Sequence, residues 1–332
     1  MEQTITINSL PAITWNRMNI NDTTVTLPEF QAIPLEAERA EGVPEIATGA
    51  GENADGVFAG KPVYAYAAAA GEEKEVMTQL PQEDGACTLR YTAEAGSTLT
   101  AFVRAKGEAQ GQQAVRLLLD LKENATLKLV ELLEPGEGGM LLHDVGGKLA
   151  ENAKVRVLHL YLGKGDLVSG CRMDLIGDGS DFTYEAGYLE QEHQKLDVNL
   201  IANHMGKKTT CNLRADGTLK GAASKTFRGT IDFKRGCKGS VGAEVENVLL
   251  LGDDVQNKTI PLILCAEEDV QGDHGATIGE LDEDALFFFA ARGIDPETAE
   301  NLLTREKLSR LSQAMGREDM VKAAEAAIEE VL

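Results

Sequence analysis

One histidine, His274, has the surroundings expected of a metal-binding residue. It stands in the run 272–279, where glycines and other small residues flank it, so a ligand can approach the imidazole closely. A neutral imidazole is a common ligand of transition metals. The alternative role is structural, because a histidine at the end of a strand can simply hydrogen-bond to a backbone carbonyl. His274 is therefore the first candidate for a functional site and for a metal ligand.

Glu246 is the second candidate, since its carboxylate would add an oxygen ligand if it lay near His274. A glutamate on the solvent face of a strand is the commoner arrangement, so both interpretations stay open. The other histidines are scattered without metal-ligand spacing, and we predict no role for them. They are His143, His159, His193 and His204.

The composition limits the classes of partner. The chain has 54 acidic and 32 basic residues, and its net charge of −22 repels nucleic acid and anionic membrane surfaces. No segment reaches the roughly 18 apolar residues of a membrane helix, and the N-terminus lacks the pattern of a signal peptide. The five cysteines are far apart, with no CxxC pair, as in proteins of a reducing compartment. We expect a cytoplasmic protein that binds neither nucleic acid nor membrane.

Common catalytic motifs are missing from the sequence. It contains no GxxxxGKS or GxxxxGKT phosphate loop, no GxGxxG, no GxSxG elbow and no HExxH helix. We therefore expect a chain that is not an enzyme, and any ATP hydrolysis must occur in a partner. The alternative is an acidic β-helix polysaccharide lyase or glycosidase, because catalytic carboxylates can meet across a fold without any sequence spacing.

Short β-compatible runs, separated by Gly, Asn and Asp, fill the chain from about residue 113. The predicted strands are 127–133, 155–162, 181–189, 196–202, 209–215, 226–234 and 240–251. No helical period interrupts them before Asp282, which makes a doubly wound α/β fold improbable and leaves a sandwich, a barrel or a β-solenoid. Many strands in succession, without an Asn-Gly hairpin dipeptide between them, favour the solenoid.

Residues before and after this region differ from it. We assign 1–100 to an N-terminal arm with irregular and β structure, 101–280 to the β core and 281–332 to a helical segment. In the arm, the only tryptophan is expected to pack across the core with its apolar neighbours. These residues are Leu10, Ile13, Trp15, Met18 and Ile20.

The helical segment contains start and stop signals for three helices. Asp282 is an N-cap and Gly293 a C-cap for the first, whose period predicts that Phe288 and Phe289 are buried on one side. The second begins at Asp295-Pro296 and ends at Gly316, and the third spans about 318–332. We expect these helices to cover the exposed end of the β core. The second carries the apolar stripe Leu302, Leu303, Leu308, Leu311 and Met315.

From about Gln113 to its end, the chain resembles the SufB/SufD family of iron–sulfur cluster assembly proteins. The residues that carry the resemblance are His274-Gly-Ala-Thr277, Gly279, Leu281-Asp282-Glu283, Leu286-Phe287, Arg292-Gly293-Ile294 and, upstream, Asn247 to Asp253 and Pro261. Near the N-terminus, Leu10-Pro11 and Thr14-Trp15-Asn16 are similar to the opening of SufD-like chains. The resemblance implies a mainly β fold, a right-handed parallel β-helix with a small N-terminal arm and a C-terminal helical segment.

At two positions the chain departs from the patterns of the family, and it looks more SufD-like than SufB-like. Glu246 stands where SufB-like members carry a cysteine, and Gly272 stands where many SufD-like members carry one. Neither position offers a thiolate. In SufD-like members the histidine of the matching HGAT string is implicated in cluster assembly, and this role falls on His274.

The resemblance also implies a function. It predicts a non-catalytic scaffold subunit of a SUF-type assembly complex that works with a SufC-like ABC ATPase. The β-helix would pair with a SufB-like subunit or with an identical chain, and the apolar stripe of the second helix would serve both internal packing and ATPase docking. No tightly bound cofactor is expected. An iron–sulfur cluster would be held only transiently, at the scaffold interface near His274.

Overall fold

The computed structural model describes residues 2–14, 18–281 and 283–332. Its centre is a parallel β-helix of about eight turns, in which each turn contributes one strand to each of two facing eight-stranded sheets. The predicted mainly β solenoid is therefore confirmed, and all seven predicted strands fall on strands of the structure.

The first sheet contains β3 (Val63–Ala68), β5 (Gly85–Ala93), β7 (Gln112–Leu121), β9 (Met140–Leu149), β11 (Asp166–Leu175), β13 (Lys195–His204), β15 (Ser224–Phe233) and β17 (Gln256–Cys265). The second contains β4 (Glu73–Gln79), β6 (Thr98–Lys106), β8 (Thr126–Glu134), β10 (Lys154–Leu162), β12 (Asp181–Glu190), β14 (Thr210–Lys220), β16 (Ser240–Leu251) and β18 (Val270–Gly279). The β-helix thus begins at Val63, nearer the N-terminus than the predicted boundary at residue 101.

Residues with a left-handed backbone form the corner between the sheets in every turn but the last. Asn124 (φ 58°) and Asn152 (φ 54°) occupy successive corners, and asparagine tolerates this conformation better than most residues. The Asn124 N–H donates to the carbonyl of Glu151 at 2.9 Å, and the Asn152 N–H donates to the carbonyl of Asp178 at the same distance. Each corner is therefore bonded to the next, which keeps the turns stacked in register.

The interior between the sheets is filled mainly by Leu, Ala and Val, with five tyrosines and three phenylalanines among them. Alternate residues of each strand point inward, and a parallel partner in the next turn places its own side chain directly above. The same inward direction also carries a few histidines, acids and lysines, and these polar residues form the sites described below.

The N-terminal arm contains an antiparallel pair, β1 (Gln3–Ile7) and β2 (Thr23–Leu27). Leu10 and Ile20 are buried against Ile260 of the last turn, which confirms that the arm packs across the β-helix. Ile13 and Met18 do not join them, because they are 76% and 55% exposed. The predicted role of Trp15 and the match at Thr14-Trp15-Asn16 involve positions 15 and 16, which lie outside the described residues.

Helix α1 (Asp55–Phe58) follows a 3-10 turn, Glu52–Ala54, and α2 (Glu283–Ala290), α3 (Pro296–Ala314) and α4 (Glu318–Val331) form the helical segment. The side chain of Asp295 caps α3 by accepting from the Thr298 N–H at 2.9 Å. The predicted N-cap Asp282 lies outside the described residues. Among the described residues, no helix has both the length and the apolar character needed to cross a bilayer.

The prediction that these helices cover the end of the β core is wrong. α3 and α4 pack on the outer face of the second sheet, where Leu132, Leu160 and Leu162 point away from the interior. Those leucines would otherwise face water, so their burial draws the helices to the side of the middle turns.

Helix α2 packs on α3 and leaves part of its apolar surface uncovered. Phe287 is 74% exposed and Phe288 is 51% exposed, while Phe289 is half-buried. The predicted burial of Phe288 is therefore wrong for the single chain. The Arg292 guanidinium lies 3.5 Å from the centre of the Phe288 ring and partly screens it.

Candidate functional site

The last turn of the β-helix is open to solvent. β18 is the terminal strand of its sheet and β17 that of the other, and within the described chain neither has a further strand beside it. Every residue of β18 after Val270 is exposed. An edge strand of ten residues with free backbone N–H and C=O groups can pair with a strand of another chain.

His274 lies in the middle of this edge strand, and its side chain is exposed. The register places it directly opposite Glu244 of β16, and therefore on the inward-pointing row of the second sheet. Its exposure results from its position in the final turn, because no further turn stacks over it. The imidazole is thus accessible while its neighbours in the turn below are buried.

Glu246 is buried, so the commoner expectation of a solvent-facing glutamate is wrong. It is 1% exposed and forms an ion pair with the equally buried Lys225. Tyr188 donates to its Oε1 at 3.2 Å and Thr259 donates to its Oε2 at 2.7 Å. Burial lowers the pKa of Lys225, while the charge and hydrogen bond of Glu246 oppose that change. With both oxygens engaged, Glu246 supports the end of the β-helix from inside.

Glu244 is the acid that lies beside His274, and the sequence reasoning missed it. Its carboxylate is 3% exposed, and its Oε2 has no hydrogen-bond partner. A Cβ at position 229 would lie 2.1 Å from Oε1, so Gly229 leaves the space that this carboxylate occupies. Burial raises the pKa of Glu244 to about 7, with a further contribution from Glu246 against the opposing charge of Lys225.

We call Glu244, Glu246, Lys225 and His274 the terminal cluster. It combines an exposed imidazole, a buried acid that readily holds a proton near neutral pH, and a buried ion pair beneath them. The alternation of β16 could have indicated that the two acids are buried. Glu244 and Glu246 share one face of the strand with the buried Val248, whereas Val241 and Val245 on the other face are exposed.

The five predicted partner-binding residues of α3 divide into two groups. Leu308, Leu311 and Met315 are at most 2% exposed and pack against the second sheet and α4. Leu302 is 45% exposed and Leu303 is half-buried. Internal packing therefore accounts for the C-terminal part of the stripe, and the accessible apolar surface is formed by Leu302 together with the phenylalanines of α2.

A second polar group, which we call the central cluster, lies inside the middle turns. It consists of Glu131, His143 and His159, all fully buried. Neither histidine showed metal-ligand spacing in the sequence, and no role was predicted for either. The β-helix brings them together because His159 is the register partner of Glu131 in the next turn, and His143 faces both from the opposite sheet.

A sequence model of the family described as "SUF system FeS cluster assembly, SufBD core domain" matches residues 87–307. The chain belongs to the SufBD family. The match includes most of the β-helix, the terminal cluster and the beginning of α3.

Individual relatives agree with this membership. The SufBD chain is 25% identical to the iron–sulfur cluster assembly protein SufD of Bacillus subtilis, over 48% of its own length and 36% of the relative's. It is 28% identical to a SufBD family protein of Synechocystis, over 39% and 27% of the two lengths. For a chloroplastic SufBD family protein of Arabidopsis thaliana the identity is 28%, over 38% and 22%. The matched segments thus span about a third or less of these relatives.

Proposed function

We propose that this SufBD chain is a non-catalytic scaffold subunit of a SUF-type iron–sulfur cluster assembly complex. The observation that carries the proposal is the terminal cluster, in which an exposed imidazole stands at the open edge of the β-helix. Membership of the SufBD family supports the link to cluster assembly. That membership gives no support to the alternative of a carbohydrate-active enzyme.

The open edge is proposed to pair with a second SufBD-type chain, either a SufB-like subunit or another copy of this one. Two features support pairing: β18 is a long uncovered strand, and apolar side chains are exposed on β18 (Ile278) and on the neighbouring β16 (Val241 and Val245). Burying that surface and satisfying the free backbone groups would both favour association. On this arrangement His274 lies at the interface.

A nascent cluster is proposed to form at that interface as transient cargo. Within the described residues, His274 does not stand in a group of three metal-ligating side chains. We therefore propose that the second chain supplies the remaining ligands, and that Glu244 acts beside His274 as a proton acceptor or oxygen ligand. Glu246 is proposed to act indirectly, because its ion pair with Lys225 fixes the side chains that lie beneath His274.

The nucleotide chemistry is assigned to a partner, a SufC-like ABC ATPase. Its proposed docking surface consists of Phe287, Phe288 and Leu302, which lie on neighbouring helices and are exposed. Apolar side chains grouped on one face of a helical segment are typical of protein interfaces. All five cysteines are free thiols, which suits the reducing cytoplasm expected for this assembly.

Replacement of His274 by alanine tests the cluster-binding part of the proposal. In the reconstituted complex we expect His274→Ala to reduce cluster formation at least tenfold, measured by visible absorption, while the complex still forms. His193→Ala is the matched control, because His193 is also exposed and lies away from the edge. Equal cluster formation by His274→Ala and the control would contradict the assignment of the site.

A further inference from the structure

The central cluster has the side-chain types and the geometry of a metal site. Oε2 of Glu131 lies 3.0 Å from Nε2 of His143 and 2.8 Å from Nε2 of His159. One ligand-capable atom from each residue can be chosen so that all three lie within 4.8 Å of one another. Two imidazoles and one carboxylate form a ligand set that proteins use for Zn²⁺ and for non-haem Fe²⁺.

Hydroxyl groups fix the orientation of both imidazoles. Nδ1 of His143 lies 3.0 Å from Oγ of Ser169, and Nδ1 of His159 lies 2.6 Å from Oη of Tyr161. Tyr161 is itself bonded to Ser169 at 3.2 Å and to Tyr184 at 3.0 Å. Metal-binding histidines characteristically use their second ring nitrogen in this way, so that the first points at the ion.

Two buried atoms of the central cluster have no hydrogen-bond partner in the described chain. They are Oε1 of Glu131 and Nε2 of His159, whose 2.8 Å contact with Glu131 lacks hydrogen-bond geometry. An unpartnered buried polar atom destabilises the folded chain, and more so when the group is charged. Among the described residues, only these two histidines contribute cationic groups within ion-pairing distance of Glu131. A cation between the three side chains would therefore engage Nε2 of His159, and would engage Oε1 of Glu131 when the carboxylate binds through both oxygens.

We propose that Glu131, His143 and His159 bind one divalent transition-metal ion inside the β-helix. Ligand distances of about 2.0–2.2 Å around such an ion would separate the ligand atoms by about 3.3 Å, so the contacts of 2.8–3.0 Å open by a few tenths of an ångström. Because the three side chains are fully buried, the ion is enclosed as the turns stack and stabilises them. This site is separate from the terminal cluster and does not depend on the function proposed above.

Metal analysis of the untagged full-length protein tests the proposal. Purified without chelator, the protein is expected to carry close to one equivalent of zinc or iron through gel filtration, as measured by inductively coupled plasma mass spectrometry. Unfolding with EDTA and refolding with Co²⁺ should give the visible absorption of a cobalt ion in a nitrogen and oxygen environment. A protein that holds only traces of metal after purification, and again after refolding with Zn²⁺, would overturn the proposal.

Variants locate the ion. Glu131→Gln and His159→Gln should lose the bound metal, whereas the matched control His204→Gln should keep it, because His204 is buried in a different turn and bonds to Thr209 and Cys211. Retention of a full equivalent by both cluster variants would place the ion elsewhere and contradict the proposal. If a cluster variant does not fold, the metal content of the wild-type protein still decides whether the chain binds a metal ion.

Discussion

The central cluster and the terminal cluster are built by the same β-helix, from inward-pointing residues of stacked strands, and they differ in access to solvent. Turns on both sides enclose Glu131, His143 and His159, whereas no further turn of the described chain follows His274. The helices add to the contrast, since α3 and α4 lie over the middle turns and leave the last one uncovered. Position along the β-helix thus decides whether a polar cluster stabilises the fold or can meet another molecule.

The largest predicted effect tests whether water is excluded from the Lys225–Glu246 pair of the terminal cluster, as it is from the central cluster. Lys225→Met leaves the carboxylate of Glu246 buried without its cation, and should lower the free energy of unfolding in urea by about 3–5 kcal/mol. The double variant Lys225→Met/Glu246→Gln should recover most of this loss, because no uncompensated charge remains. A loss below about 1 kcal/mol for the single variant would show that water reaches the pair.

A somewhat smaller effect is expected where the helices cover the middle turns. Leu311 is 1% exposed and lies so close to Gly187 that a Cβ there would be 2.4 Å from its Cδ1. Leu311→Ala should therefore leave a cavity and lower the free energy of unfolding by roughly 2–4 kcal/mol. Leu302→Ala on the same helix is the control, with an expected change within about 0.5 kcal/mol. Equal losses would contradict the division of the stripe into packed and accessible parts.

The pH dependence of stability distinguishes Glu244 from an ordinary exposed acid. Its pKa is about 7 in the folded chain against 4.5 as the reference value, so between these pH values the folded chain holds a proton that the unfolded chain releases. The free energy of unfolding should consequently fall by about 1–3 kcal/mol as the pH rises from about 4.5 to about 7.

Glu244→Gln provides the comparison for that pH profile. The ionisable side chains around Glu244 are Glu246, Lys225 and His274, and they are present in both the wild-type protein and the variant. His204, whose pKa burial lowers to about 4, gives an opposite slope that both proteins share. The difference between the two profiles therefore isolates Glu244. Parallel profiles would mean that its carboxyl titrates alike in the folded and unfolded chain.

The smallest effect on stability is expected at the apolar surface of α2. Phe287→Ser/Phe288→Ser should change the free energy of unfolding by no more than about 0.5 kcal/mol, because both side chains are largely exposed. The same variant should lose association with the ATPase in a pull-down. Ile13→Ser removes an equally exposed apolar residue from the N-terminal arm and should bind normally. Normal binding by the phenylalanine variant would move the docking surface elsewhere.

Much of the fold could be predicted from local patterns. The β-compatible run 240–251 predicted a strand with the bounds of β16, and Asp295-Pro296 predicted the start of α3, because strand propensity and helix caps depend on neighbouring residues. The placement of the helices could not be predicted in this way. It depends on which strands carry apolar residues on their outer face, and Leu132 and Leu160 reveal this only once the register is known.

The sites were harder to predict than the elements. His274 could be proposed from the sequence because its glycine-rich surroundings are local, and its role stays a prediction. Glu244 and the central cluster were missed, because the residues that meet come from different turns, and turns of unequal length give no fixed spacing in the sequence. Aligning the left-handed corner residues, such as Asn124 and Asn152, would have supplied the register and brought Glu131 beside His159.

Co-purification with the ATPase tests most directly whether this SufBD chain is a scaffold subunit. The untagged chain and a tagged SufC-like ATPase from the same source would be co-expressed, with and without a SufB-like chain, and analysed by size-exclusion chromatography with light scattering. We predict a stable complex that contains this chain and the ATPase, and that does not form with the Phe287→Ser/Phe288→Ser variant. Failure to associate under both conditions would contradict the scaffold assignment.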